Sequence, residues 1–275
     1  MSLKIGIFAD PQYCNRPEYK NRYYKNSLNK IEQMIDHFKA AAVDHIICLG
    51  DLIDRDFESF EPVMSIISAS KLKFNTLAGN HDFEIAGNNK KARVLQALKM
   101  PEPYYQISLD RYRILFLDGN EISAFANPPE STCALMAEEW IDQLQIEQQP
   151  NGQIYNGGIG AAQFTWLNAQ LKDSFEKAQF AIVCCHYPVY PKNKHNLLND
   201  EALLHTLAKY SNVRLFLAGH NHEGAFGQYL DSYFITLPGM VETYDENAYA
   251  IMCLGENTIN IKGFGRVPDY NLNFE

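Results

Sequence analysis

A chain of 275 residues, 46% hydrophobic and 21% charged, is long enough to bury a substantial core and has the balance of a globular enzyme. Its net charge of -9 argues against nucleic-acid binding through a broad basic face. It leaves room for a small phosphorylated substrate, because bound divalent cations reverse the field locally. The opening MSLKIGIFAD has too short an apolar run for a signal-peptide core or a membrane span, so neither is expected. Six scattered cysteines without a CxxC pair read as free thiols in a cytoplasmic setting.

In chain order, the first strand is LKIGIFA, followed at once by Asp10 and Gln12 in FADPQ. Residues 22–41 place Tyr24, Leu28, Ile31, Met34, Ile35 and Phe38 at three- and four-residue spacing, the apolar face of a helix. HIICLG is the next strand and runs into Asp51 in LGDLID. A helical pattern over 58–70 leads to KFNTLA and to Asn80 in LAGNHD, and RYRILFLD follows as a further strand. Residues 119–160 hold a helix near 133–148 between Pro-, Asn- and Gly-rich flanks, and are expected to form a cap or loop insertion over the site. A helix over 161–178 precedes QFAIVCCH with His186, and VRLFLAG runs into His220 and His222 in AGHNH. Several strands are continuous apolar runs, as for strands covered on both faces. After Gly219, segments 225–237 and 248–263 read as short strands without a helix between them, so this part is expected to be antiparallel. The pattern predicts one α/β domain spanning 1–275, with a mixed sheet or two packed sheets flanked by helices.

Each polar strand end has an ordinary reading on its own. Asp51 suits a helix cap, Asn80 a turn, and His186 a satisfied core histidine. Five such pieces in one chain point instead to a metal centre made of Asp10, Gln12, Asp51, Asn80, His186, His220 and His222. Extended backbone would send His220 and His222 to the same side. Carboxylate, amide and imidazole ligands without thiolates suit Mn, Fe, Co or Zn rather than a structural zinc site. Seven side chains are too many for one ion and suit two ions sharing a carboxylate. Such a pair, roughly 3.5–4 Å apart, activates water and clamps a phosphoryl group for in-line displacement.

The order D-x-(H/Q), GD, GNH(D/E), H, GHxH over residues 10–222 resembles the signature of calcineurin-like metallophosphoesterases. The resemblance implies an α/β fold of four layers, an αββα sandwich of two mixed sheets flanked by helices. It implies one ion on Asp10, Gln12, Asp51 and His222, and a second on Asp51, Asn80, His186 and His220. It further implies that His81 stabilises the transition state or protonates the leaving oxygen, with Asp82 either orienting His81 or capping a helix. Most members carry His where this chain has Gln12, and a neutral amide oxygen favours a harder ion such as Mn. That DxQ motif, with RYYKNSLNKIEQMIDHF, YNGGIGAAQFTWLNAQL and IKGFGRVPDY, is similar to the manganese-dependent ADP-ribose/CDP-alcohol diphosphatase branch.

The branch implies hydrolysis of the pyrophosphate bond of a small nucleotide-type substrate. Tyr13, Arg22, Tyr23, Phe264 and Arg266 are the candidates for stacking on its base or holding its phosphates. Core packing is the alternative for the aromatic residues, and pairing with Asp269 the alternative for Arg266. A cyclic-nucleotide phosphodiesterase or broad phosphomonoesterase on the same centre is the rival activity. A non-catalytic scaffold is disfavoured because GNHD and GHNH are intact, His81 included.

Overall fold

A computed structural model describes residues 3–274. Strands β1 (Leu3–Phe8), β2 (His45–Cys48) and β3 (Lys73–Thr76) pair in parallel. The middle of the chain supplies β4 (Tyr105–Leu109), β5 (Tyr112–Phe116), β6 (Phe180–Cys184), β7 (Val213–Ala218), β8 (Ala225–Tyr229) and β9 (Ser232–Thr236). The C-terminal strands β10 (Ala248–Leu254), β11 (Thr258–Gly265) and β12 (Tyr270–Asn273) return to the first three. Two six-stranded mixed sheets result, in the orders β12-β11-β10-β1-β2-β3 and β4-β5-β6-β7-β9-β8. The antiparallel expectation holds for β8 with β9 and for β10 to β12, but β9 lies parallel to β7.

Helices α1 (Asn26–Ala40) and α2 (Phe60–Ala69) are followed by three single turns, α3 (Asn80–Phe83), α4 (Asn88–Lys91) and α5 (Val94–Ala97). Then come α6 (Thr132–Ile146), α7 (Ala161–Glu176) and α8 (Asp200–Leu207). Alternation within the strands assigns the layers. Ile114, Phe116, Ile182, Cys184, Leu215 and Leu217 join the core shared with the first sheet. Their neighbours Leu115, Val183 and Phe216 pack instead with Leu167 and Leu171 of α7 and Leu203 and Leu207 of α8. On the other side α1 buries Ile31, Met34, Ile35 and Phe38, each such side chain contributing roughly 1.5–3 kcal/mol. That helix sits close because β1 carries Gly6, where a Cβ would stand 2.4 Å from the Phe38 ring. The four layers expected from the sequence are therefore present.

Helix α1 begins at Asn26 rather than near residue 22, because the Arg22 backbone bridges to Tyr19 and Glu242 instead. The sequence pattern passes over β4, β12 and α8. These are short, and β4 has a half-exposed alternation that a search for continuous apolar runs does not find. The 119–160 segment is closed at its base by a bridge between Ile122 and Gly158. Its helix α6 buries Ala137 and Ile141 against Ile122 and Leu198 in a cluster of their own. Among the described residues, no helix is long and apolar enough to cross a membrane.

Candidate metal centre

All seven predicted side chains lie just beyond the carboxyl ends of parallel strands. Asp10 and Gln12 follow β1, Asp51 follows β2, and Asn80 opens α3 after β3. His186 follows β6, and His220 and His222 follow β7. Ligand sites of open α/β sheets form at such ends, where loops leave both sheets on the same side. Six of the seven are buried polar groups, and Asp10, Gln12, Asp51 and His186 have no exposed surface.

The backbone here is unusual in a way the sequence does not reveal. Asp10, Gln12, Asp51 and His220 all have left-handed backbone, with φ of 52°, 44°, 54° and 65°. Each such residue costs on the order of 1 kcal/mol and persists only where the surroundings over-determine it. The surroundings do so: Asp10 N–H donates to Gly50 O at 3.1 Å, and Gln12 N–H to Asp51 O at 2.9 Å. Gly79 is required by close approach, since a Cβ there would stand 2.1 Å from Asp51 Oδ1. The left-handed turn at His220 also defeats the alternation argument. His220 groups with Asp51 and His186, while His222 lies beside Gln12 and Asp10.

The two halves meet on Asp51. In one, Gln12 Nε2 lies 3.1 Å from Asp51 Oδ2 and 3.2 Å from His222 Nε2, while His222 Nε2 lies 3.5 Å from Asp10 Oδ1. In the other, His186 Nε2 lies 3.4 Å from Asp51 Oδ2 and 3.3 Å from Asn80 Oδ1. Asp51, His186 and His220 each place a ligand atom within 4.8 Å of the others. Two of the rings and one amide are aimed by a partner on the far side. His186 Nδ1 contacts Leu49 O at 2.8 Å, His222 Nδ1 contacts Glu242 Oε1 at 2.8 Å, and Asn80 Nδ2 donates to Glu84 Oε1 at 2.8 Å. Such partners fix the tautomer or orientation and leave the near-side atom free for the centre.

Charges follow this geometry. Burial opposes a charge on His186, but Asp51 beside it outweighs that and pushes the ring up to about 9. Burial likewise opposes a charge on His222, and its hydrogen bonds to Asp10 and Glu242 push it up to about 9. Burial and the neighbouring His186 hold His220 well below the usual imidazole range. Gln12 Oε1 is buried without any hydrogen-bond partner. An orphaned acceptor among carboxylate and imidazole donors fits divalent cations, and no thiolate competes for them.

Of the two roles expected for Asp82, capping α3 is the one the structure shows, and His81 has another partner. That partner is Asp54, whose Oδ1 accepts from His81 Nδ1. Asp82 does not touch the ring. Its carboxylate accepts from the N–H groups of Gly79 (2.9 Å), Asp51 (3.0 Å) and Ile53 (3.1 Å), tying α3 to the Asp51 turn. Burial would raise the Asp54 carboxyl, but the His81 bond and the charges of His81, Arg55 and Arg16 hold it below the usual range. Asp54, Glu84 and Glu242 were passed over by the sequence reading. The signal for Asp54 was its place three residues after Asp51 in GDLID.

The substrate candidates divide. Arg22 borders two polar cavities beside the centre, one of about 710 Å³ with Arg16, Lys20 and Arg55, the other of about 470 Å³ with Lys194, His195 and Arg266. Tyr13, Tyr23 and Phe264 line neither. Tyr13 packs against the main core, Tyr23 meets Tyr244 edge-on, and Phe264 lies against His37 and Tyr249. Arg266 reaches the second cavity, but its guanidinium donates to Gly239 O at 3.0 Å and His222 O at 2.9 Å, bracing the His222 turn. Asp269 pairs with Lys262 rather than with Arg266.

The family model for calcineurin-like phosphoesterases matches residues 3–224. The chain belongs to that family. Among curated relatives of this calcineurin-like phosphoesterase, one from Arabidopsis thaliana is 29% identical over 84% of this chain and 83% of its own length. One from Mus musculus is 25% identical over 99% of this chain and 94% of its own. Both are named manganese-dependent ADP-ribose/CDP-alcohol diphosphatase. A crystal structure of a dimetal phosphatase from Danio rerio superposes with a TM-score of 0.89 at 25% identity, covering 99% of each chain.

Proposed function

We propose that this phosphoesterase is a dinuclear, manganese-dependent hydrolase that cleaves the pyrophosphate bond of ADP-ribose or CDP-alcohols, giving a nucleoside monophosphate and a phosphorylated sugar or alcohol. The observation that carries the reading is the sharing of Asp51 between the two convergent halves. Asp10, Gln12, Asp51 and His222 would hold one ion, and Asp51, Asn80, His186 and His220 the other. Relatives named for that activity, matched over most of both lengths, support the choice of substrate.

When bound, the ions supply Lewis-acid polarisation of phosphoryl oxygens and an activated water. The rest is the work of the chain. His81, steadied by Asp54 at Nδ1, has its other ring nitrogen available to protonate the leaving phosphate oxygen. Asp54 keeps the ring in one orientation, as Arg16 and Arg55 in turn steady Asp54. Arg22 and Lys194 are the cations that would meet a substrate phosphate beyond the ions' reach. The six cysteines, all free and four of them buried, suit a reducing cytoplasm.

The test is turnover by the manganese-loaded protein of ADP-ribose, CDP-choline, cyclic AMP and p-nitrophenyl phosphate, with products identified. AMP or CMP from the first two is the expected result. Turnover confined to cyclic AMP or the monoester would replace the diphosphatase reading with the rival activity.

A further inference from the structure

His220 needs a device that the other imidazoles obtain from elsewhere. Its ring is in contact with four others: His186, Tyr187, His195 and Tyr155 lie with centroids 5.0, 4.7, 5.3 and 5.7 Å away. These contacts restrict tilt but leave open which nitrogen carries the proton. The polar contact that decides this comes from the 119–160 segment. His220 Nε2 lies 3.0 Å from Asn156 Oδ1. Asn156 is 1% exposed, and its amide has no freedom to turn over. Its Nδ2 donates to Asn151 O and to Lys194 O, both at 2.9 Å. Two carbonyl partners require the NH2 group on that side, so the oxygen is what faces His220. Asn151 is fastened in the same manner, its Nδ2 donating to Leu197 O at 2.8 Å and Leu198 O at 3.3 Å.

We infer that Asn156 is a positioning residue for the second ion of the centre. By accepting from Nε2–H it sets the His220 tautomer, so that the Nδ1 lone pair is the atom offered to a divalent cation beside Asp51, Asn80 and His186. The same amide, through Lys194 O, ties that ligand to the loop carrying Lys194 and His195, which line the 470 Å³ cavity. The insertion thereby contributes a hydrogen bond to the metal centre. The inference rests on the proposed two-ion reading, and the experiments separate the two.

The first experiment uses the metal-free wild-type protein with 15N-labelled histidine. Two-bond 15N–1H correlations should report His220 as the Nε2–H tautomer, and an Nδ1–H ring would overturn the inference. The second counts and titrates Mn ions by the EPR signal of the free ion, in wild type, Asn156→Leu and Asn156→Asp. Asn156→Leu should weaken one of the two ions by about 10–100-fold, as loss of a ligand's hydrogen-bond partner does elsewhere, with the other ion unchanged. Asn156→Asp keeps the acceptor but sets a carboxylate oxygen against the Asn151 and Lys194 carbonyls, and should recover only part of that loss. Two ions held by Asn156→Leu with wild-type affinities would overturn the inference. Fewer than two ions on the wild type would overturn the two-ion reading itself, and is seen before any variant is compared.

Discussion

Asp54 accepts a hydrogen bond from His81 Nδ1 while two arginines flank its carboxylate, Arg16 at 3.5 Å and Arg55 at 4.0 Å. The arrangement predicts separate residues for proton transfer and for metal holding. His81→Ala should lower kcat by about 100-fold or more, and Asp54→Asn by about tenfold, if His81 delivers the proton. Both should keep two equivalents of manganese by elemental analysis. A Asp54→Asn enzyme with unchanged kcat would remove the pair from the mechanism.

Asp51 and Asn80 lie on the other side of that division. Asp51→Ala and Asn80→Ala should abolish turnover and lower the metal content, with far-UV circular dichroism unchanged. In the wild type, manganese at about 100 times its Kd should stabilise by roughly 2.7 kcal/mol. For a chain of this size that raises Tm by about 5–10 °C. The shift should vanish in Asp51→Ala, and its survival there would place the ions elsewhere.

Gln12 should bias the choice of ion. Its side chain offers a neutral oxygen where an imidazole would bind borderline ions more tightly, and its left-handed backbone is one that His tolerates. Gln12→His should therefore tighten zinc relative to manganese by about tenfold or more in competition titrations. An unchanged preference would mean that the other ligands decide the metal.

Asp118 gives a pH dependence of stability that is independent of the centre. Burial, with Glu121 nearby, pushes its carboxyl up from 3.8 to about 7, and the Asn120 N–H bonded to Oδ1 only partly opposes this. The folded chain then keeps a proton that the unfolded chain releases, so stability falls as pH rises across that interval. Asp118→Asn preserves the acceptor and removes the titration. In urea melts with chelator present, its midpoint should exceed the wild type's at pH 7.5 and approach it near pH 4. The same gap at both pH values would rule out Asp118 as the source.

How far the sequence could be read depends on what each residue does. Strands such as β2 and β6 announce themselves because both faces are covered, and Asp51 and His186 are visible because they follow those runs. Asp54, Glu84, Glu242 and Asn156 are not, because nothing about an acidic or amide side chain reveals which ring or amide it will hold from behind. Asp82 shows the opposite case. Adjacency to His81 suggested a partnership, but α3 turns the two side chains apart, and the carboxylate is consumed by three backbone N–H groups. For the aromatic candidates the packing alternative holds: Phe264 sits on β11 with its ring against α1. The strained turns at Asp10, Gln12, Asp51 and His220 leave no trace in residue type, since none is glycine.

Neither quartet belongs to a single sheet. Asp10, Gln12, Asp51 and Asn80 follow strands of the first sheet, and His186, His220 and His222 follow strands of the second. Each ion would therefore join the two sheets at their carboxyl ends, acting as a rivet through the seam. No fragment comprising one sheet can assemble even half of the centre. Metal uptake would thus record that residues 3–83 have met residues 186–222 across the intervening fold.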